Sequence, residues 1–448
     1  MFLLAIDWST IGIKAAQFIL SFSILVILHE LGHFLPAKWF KCRVEKFYLF
    51  FNPWFSVWKK KIGETEYGLG WIPLGGYVKI SGMIDESMDK AQLNQPPKPY
   101  EFRSKPAWQR LIIMLGGVTV NVILALVIFI MITWVWGEKY IPVENLKYGV
   151  AADSLGKKIG LMDGDRIVAV QGKKIEKVGT VGPEIITSEA KSITVERNGQ
   201  NIELNLPEGF IRQLNANKLE GFAQIRFPFV IDSIYKKARV TGAPLQKNDV
   251  LIGFNGKPVQ FNTDVPRAEY KNKNIELVVL RNNMDTVKSQ VFFDESGDPK
   301  IAFKSPDKVL GTRHITYNFA QSVPAGMKRC FTTLSKYVQN LKQLFTSKEV
   351  RVRDSLGSVI SIGNIFPGIW DWESFWTLTA IFSIILAFMN VLPVPGLDGG
   401  HALFTIYEMI TGRKPSDKFM EYAQMVGMVL LLGLMLYAFG LDIWRLFK

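Results

Sequence analysis

Two imidazoles and a carboxylate stand together in the run LHELGH, as His29, Glu30 and His33. On an α-helix four residues advance by about 400°, so His29 and His33 share a face one turn apart and can converge on one ion. Glu30 is turned about 100° from His29, near enough for its carboxylate to reach a water held by that ion. The spacing His-Glu-x-x-His suits hydrolytic zinc chemistry, with the imidazoles as ligands and the glutamate as general base. Many five-residue matches of this kind in soluble sequences are accidental. This one lies inside AAQFILSFSILVILHELGHF. Unpaired polar groups are costly in such an apolar segment, and a bound dication would satisfy them.

A catalytic zinc takes three protein ligands and keeps a position open for water. The third ligand is best sought in NVLPVPGLDGGH, residues 390–401. Pro393 and Pro395 forbid a regular helix there, Gly399 and Gly400 permit close backbone approach, and Asp398 offers a carboxylate beside the break. A plainer role for Asp398 is to cap a helix starting near Gly399. His401 reads as a group behind the ligands or a structural one, since a fourth ligand would close the site. His314 stands alone in a polar stretch and reads as an ordinary surface or packed histidine.

The elements that must position these groups are membrane spans. The chain has 448 residues, 48% hydrophobic and only 21% charged, and the charges avoid several long stretches. A span needs about 20 mostly apolar residues. Four segments qualify, at about 11–38, 111–136, 374–397 and 422–441. The net charge of +13 gathers beside these segments, which points to lipid headgroups and membrane orientation; no nucleic-acid-binding motif is recognisable. Lys41, Arg43, Lys46 and Lys59–Lys61 follow the first span, and Arg413, Lys414 and Lys418 follow the third. Short basic loops stay in the cytoplasm, so both termini and the long middle region are expected outside. The first apolar segment lacks a basic leader and a cleavage site, so it is not expected to be a removable signal peptide. Cys42 and Cys330, on opposite sides of the membrane in this topology, are expected to be unpaired.

The middle region carries an internal repeat. LMDGDRIVAVQGKKI from Leu161 matches LQKNDVLIGFNGKPV from Leu245, and SITVERNG (192–199) faces ELVVLRNN (276–283) at the same offset of 84 residues. Alternating apolar residues running into Asn-Gly or Asn-Asn predict hairpins. Each copy resembles a PDZ domain, a fold that takes peptides by strand addition. Binding a chain end and filtering by bulk are equally compatible with the pattern. Further on, Met327, Phe331, Leu334, Val338, Leu341 and Phe345 recur at helical spacing, which predicts an amphipathic helix over 315–350. It would lie on the outer membrane surface or pack on its own domains.

Taken together, His29-Glu30-x-x-His33 and Asn390-x-x-Pro393-x-Pro395-x-x-Asp398-Gly399 resemble the two motifs of the site-2 protease family of intramembrane zinc metalloproteases. The tandem PDZ-like insertion is similar to that of its branch of bacterial sigma-E-regulating proteases. YGLGWIPLGGYVKISG (67–82) looks like the family's membrane-reentrant β-hairpin region. FRSKPAWQRLIIMLGGVTVN (102–121) looks like its lead into the second span, with Gly117 and Asn121 in place and Val118 where Pro is usual. Val359 in GSVISIG also stands where Pro is common.

The resemblance implies a polytopic α-helical membrane protein with four transmembrane helices, a membrane-associated β-hairpin region and two tandem PDZ-like α+β domains. The divisions are 1–137, 138–220, 221–310, 311–373 and 374–448. It implies Zn2+ held by His29, His33 and Asp398, with Glu30 as general base. Asn390, Gly68, Gly70, Pro393 and Pro395 fall on the substrate side, and Asn390 or His401 would steady an oxyanion. His401 and Asn121 stand behind the ligands. Substrates would be single-span membrane proteins, such as anti-sigma factors or signal-peptide remnants, already trimmed by another protease. The protein would lie in the bacterial cytoplasmic membrane with its PDZ-like domains periplasmic and its site towards the cytoplasm. A metal transporter and a catalytically silent scaffold are the rival readings. A single ligand set speaks against the first, and Glu30 against the second.

Overall fold

The structure is a computed structural model, and it describes residues 8–83, 96–217, 219, 221–265 and 270–446. The chain divides into two compact units, one of Met1–Gly137, Thr316–Val338 and Leu356–Lys448, the other of Glu138–Ile315 and Gln339–Ser355.

The first unit is built on helices α1 (Trp8–Trp39), α2 (Ala107–Val135), α3 (Phe319–Thr346, whose last residues belong to the other unit), α4 (Trp372–Val391), α5 (Asp398–Thr411) and α6 (Asp417–Leu446). Of these, α1, α2, α4 and α6 are long and apolar enough to cross a membrane. They coincide with the four expected spans. The third ends at Val391, six residues earlier than the sequence suggests, because Pro393 and Pro395 lie in the break before α5. Val426, Val429, Leu430 and Leu436 of α6 are exposed, as a lipid-facing surface requires.

Close backbone approach joins α1 to α2. A Cβ on Gly32 would collide with the Gly116 carbonyl, and one on Gly116 with the Gly32 carbonyl, so small residues set this crossing. Polar pairs tie in α4: Ser21 Oγ lies 2.9 Å from Thr379 Oγ1, and Ser383 Oγ donates to the Asn121 carbonyl at 2.8 Å. Ile128, Phe129 and Ile132 of α2 pack with Cys330, Ala380 and Ile384. The small face of α3, with Gly326 against Ile130, makes this contact, while Met327, Phe331 and Val338 of its apolar stripe stay exposed. Cys42 and Cys330 are both free.

Between α1 and α2 lies a four-stranded sheet of β1 (Val44–Phe51), β2 (Trp58–Ile62), β3 (Thr65–Leu69) and β4 (Ile72–Ile80), in the order β2-β3-β1-β4. This corrects the hairpin expected over 67–82. β3 and β4 flank β1 on opposite sides, β3 parallel and β4 antiparallel to it, and the hairpin is β2–β3. The chain crosses the end of β1 at Gly70, whose N–H donates to the Leu49 carbonyl at 2.8 Å; a Cβ there would strike the Phe51 carbonyl.

The second unit contains two β modules. In the first, strands Arg166–Val170, Ser192–Arg197 and Gln200–Asn205 form a sheet, edged by Lys173–Lys174, with helices Val181–Thr187 and Phe210–Ala216. In the second, Val250–Phe254, Lys273–Arg281 and Asp285–Phe293 do the same, with Lys257–Pro258 and Val240–Gly242 at the edges. The repeat is visible in the turns. Gln171-Gly172 and Asn255-Gly256 both take positive φ, as tight hairpin loops demand. The first core extends past the expected division at 220, to Phe222 and Phe227, and takes in Leu310. Likewise Arg313–Ile315, expected in the connecting segment, pairs with Glu138–Tyr140.

Candidate active site

His29 and His33 stand one turn apart on α1, as their spacing predicts, and their Nε2 atoms are 3.3 Å apart. Gly117 makes room for them, since a Cβ there would lie 2.6 Å from His29 Cε1 and would overlap His33 Nε2. His33 Nδ1 is 2.8 Å from the Ile113 carbonyl, which only accepts, so Nδ1 carries the proton and donates. That leaves the Nε2 lone pair facing the site. The other nitrogen of His29, Nδ1, lies 3.1 Å from Asn121 Nδ2, on α2.

Asp398 is the first residue of α5. The helix has no side-chain cap, so capping is not the work of this carboxylate. Gly399 and Gly400 bring α5 down on the preceding break: a Cβ on either would overlap or crowd the carbonyls of Val391, Leu392 or Val394. This compact turn places Asp398 Oδ2 3.3 Å from His29 Nε2 and 3.3 Å from His33 Nε2. Asp398 Oδ2 is buried and makes no hydrogen bond. Three ligand atoms thus form a triangle with 3.3 Å edges. Ligands about 2.0–2.1 Å from a tetrahedral zinc are separated by about 3.3 Å, so the donor set fits that ion in kind and in spacing. Among the described residues this is the one group of three such side chains able to share a metal.

A cavity of about 420 Å3 adjoins these three side chains. Glu30, Gly76, Tyr77, Asn390, His401 and Gln424 are among its lining residues. Asn390 Nδ2 is 3.3 Å from His29 Nε2, at the end of α4. Glu30 faces β4: a Cβ on Gly76 would stand 3.5 Å from Glu30 Cγ. β4 is the last strand of its sheet, so among the described residues no strand occupies its outer edge.

The structure therefore brings together His29, Glu30, His33, Asn390, Asp398 and His401, with Asn121 behind His29. It leaves others elsewhere. Gly68 lies on β3, hydrogen-bonded to a strand on each side, where a Cβ would overlap the Tyr48 ring. Gly68 and Gly70 thus serve sheet packing and chain crossing, and the open edge belongs to β4. Pro393 and Pro395 shape the break and are absent from the cavity lining. His314 is exposed in the second unit. Gln424, in the cavity lining, escaped sequence reasoning, although it gave a signal as an amide inside the apolar run YAQMVGMVLL.

Comparison with known proteins sharpens this picture. The model of Peptidase family M50 matches residues 17–434, almost the whole chain. Three relatives bear the name "Putative zinc metalloprotease". That of Campylobacter jejuni is 28% identical over 99% of this chain and 96% of its own length. Those of Treponema pallidum and Thermotoga maritima are each 25% identical, over 95% and 96% of this chain and 97% and 98% of their own.

Proposed function

Because the chain belongs to peptidase family M50, the site-2 proteases, and is a zinc metalloprotease, we propose that it cuts the transmembrane segments of single-span membrane proteins, with His29, His33 and Asp398 as ligands and Glu30 as general base. The observation that carries this reading is the unsatisfied Asp398 Oδ2 between two imidazoles, beside a cavity that also reaches Glu30 and β4, whose outer edge no strand of the described residues occupies.

When bound, zinc supplies Lewis acidity to a carbonyl and to water. The chain supplies the rest. Glu30 takes the proton of the attacking water and delivers it to the leaving amine. Asn390 or His401 donates to the oxygen that gains charge. A helical substrate hides its carbonyls in its own hydrogen bonds and must unwind first. The outer edge of β4 replaces those bonds by strand addition, with the scissile peptide brought next to Glu30. The substrates have the chemistry of anti-sigma factors and signal-peptide remnants, a short extracytoplasmic tail on one apolar helix. Basic loops after the first and third spans support a site turned towards the cytoplasm of a bacterial inner membrane, with the two β modules outside it as PDZ-like domains that filter substrates by the size of their tails.

Glu30→Gln tests the core of this proposal. Bound zinc, measured by elemental analysis, should match wild type, while cleavage of a transmembrane reporter should fall by roughly 10²–10⁴-fold. Cleavage at the wild-type rate would remove Glu30 from the mechanism.

A further inference from the structure

α6 carries one polar side chain into the cavity. Gln424 is only 8% exposed, and its Oε1 is buried with no hydrogen-bond partner. Three residues on, Gly427 packs so tightly on the break before α5 that a Cβ would overlap the Pro395 carbonyl. Residues three apart share a helix face, so Gln424 is on the side of α6 turned towards Asp398, consistent with its place in the cavity wall. An amide acceptor left unmatched in an apolar span is costly, and no group among the described residues matches it. A bound ligand can supply the missing donor.

The chemistry of that donor follows from the other wall. A substrate strand added to β4 satisfies one of its edges. Its second edge still presents N–H and C=O groups, in surroundings where water does not replace them. A primary amide offers a donor and an acceptor, as a peptide unit does. We propose that Gln424 binds the unwound substrate backbone on the edge opposite β4, its Oε1 accepting one backbone N–H near the scissile bond. Gln424 is then a substrate-binding residue that holds the extended form irrespective of side-chain sequence. This inference rests on the intramembrane-protease reading above.

The test uses the full-length protein in detergent and a fluorogenic transmembrane peptide, with single amide-to-ester replacements that delete one N–H at a time. In wild type, one ester position on the far edge should lower kcat/KM by roughly 10-fold, the effect of an acceptor left unmatched. Gln424→Met, similar in size and apolar, should cut the parent peptide roughly 10- to 100-fold less efficiently and be indifferent to that ester. Its zinc content and melting temperature should equal wild type. Equal cleavage of the parent peptide by both proteins would overturn the assignment, as would an ester penalty of the same size in both. Loss of zinc or of thermal stability in Gln424→Met would show a structural role and overturn it too. A wild type that binds zinc yet leaves the parent peptide uncut would overturn the protease reading itself, and this contact with it.

Discussion

Asp165 in the second unit and Asp398 in the first each bury a carboxylate oxygen, and their surroundings differ in kind. Asp165 accepts from Arg197 Nε and Nη2, both at 2.7 Å, and from the Met162 N–H at 2.8 Å. Its counterpart in the repeat, Asp249, accepts from Arg281 Nε and Nη2 at 3.0 and 2.8 Å and from the Gln246 N–H at 2.7 Å. These charges are matched within the chain by bidentate pairs. Among the described residues Asp398 Oδ2 meets two imidazole nitrogens, at 3.3 Å each and without a hydrogen bond. The first arrangement is complete and holds a fold together. The second has the donor set and spacing that a metal ion would complete.

The sharpest way to break this comparison is Asp398→Asn. An amide keeps the volume but loses the charge and one of three donors. Zinc affinity should fall by more than the roughly 10–100-fold typical of lost supporting groups, and cleavage should disappear with it. The melting temperature should hold or rise, because the neutral amide no longer needs a cation. Metal titration and calorimetry on one preparation decide the matter. A variant that unfolds while keeping its zinc would place Asp398 with the structural carboxylates.

Arg197→Met asks the converse. It strands a carboxylate that is 1% exposed, and should destabilise the second unit by about 3 kcal/mol, the low end for a broken buried pair since Arg197 is itself a fifth exposed. Zinc content should stay unchanged. If the β modules filter substrates, cleavage of reporters with bulky tails should increase relative to short-tailed ones. Unfolding of the second unit monitored by denaturant, alongside cleavage of the two reporters, checks both parts. Unchanged selectivity in a destabilised variant would end the filter model.

The two regions were also unequally legible. The repeat set Asp165 against Asp249 and Arg197 against Arg281 at one offset, and the structure adds that each aspartate pairs with its own arginine. Hairpin turns at Asn198-Gly199 and Asn282-Asn283 follow from local chemistry in the same way. At the candidate site, helical spacing paired the two histidines, and the Pro-Gly break singled out Asp398, which the structure sets beside them. What pattern alone could not give was pairing over a distance. The order β2-β3-β1-β4 depends on a parallel contact between β1 and β3, and the hairpin-like look of 67–82 conceals a crossover at Gly70. The crowding of Gly117 against both imidazoles, and the turn of Gln424 towards the cavity, depend on how helices pack. Periodicity marks which residues share a face and is silent on which face meets which.

The subtlest prediction concerns Asn121, which is fully buried. Its Nδ2 is 3.1 Å from His29 Nδ1, and its Oδ1 has no partner. For His29 to offer Nε2 to a metal as a neutral imidazole, Nδ1 must carry the proton, and that proton needs an acceptor. Ile113 provides one for His33 through a backbone carbonyl; for His29 the Asn121 amide is the group that stands within reach of Nδ1 among the described residues. Turned by half a rotation, that amide presents Oδ1 to the proton, and metal loading should favour this orientation. Asn121→Leu removes the acceptor and should weaken zinc binding roughly 10–100-fold. Asn121→Asp keeps an acceptor in place and should cost little. Competition against a chromophoric chelator measures both, and the contrast between them is the informative quantity. Equal weakening in the two variants would mean that Asn121 acts by packing α2 on α1, leaving the tautomer of His29 to some other group.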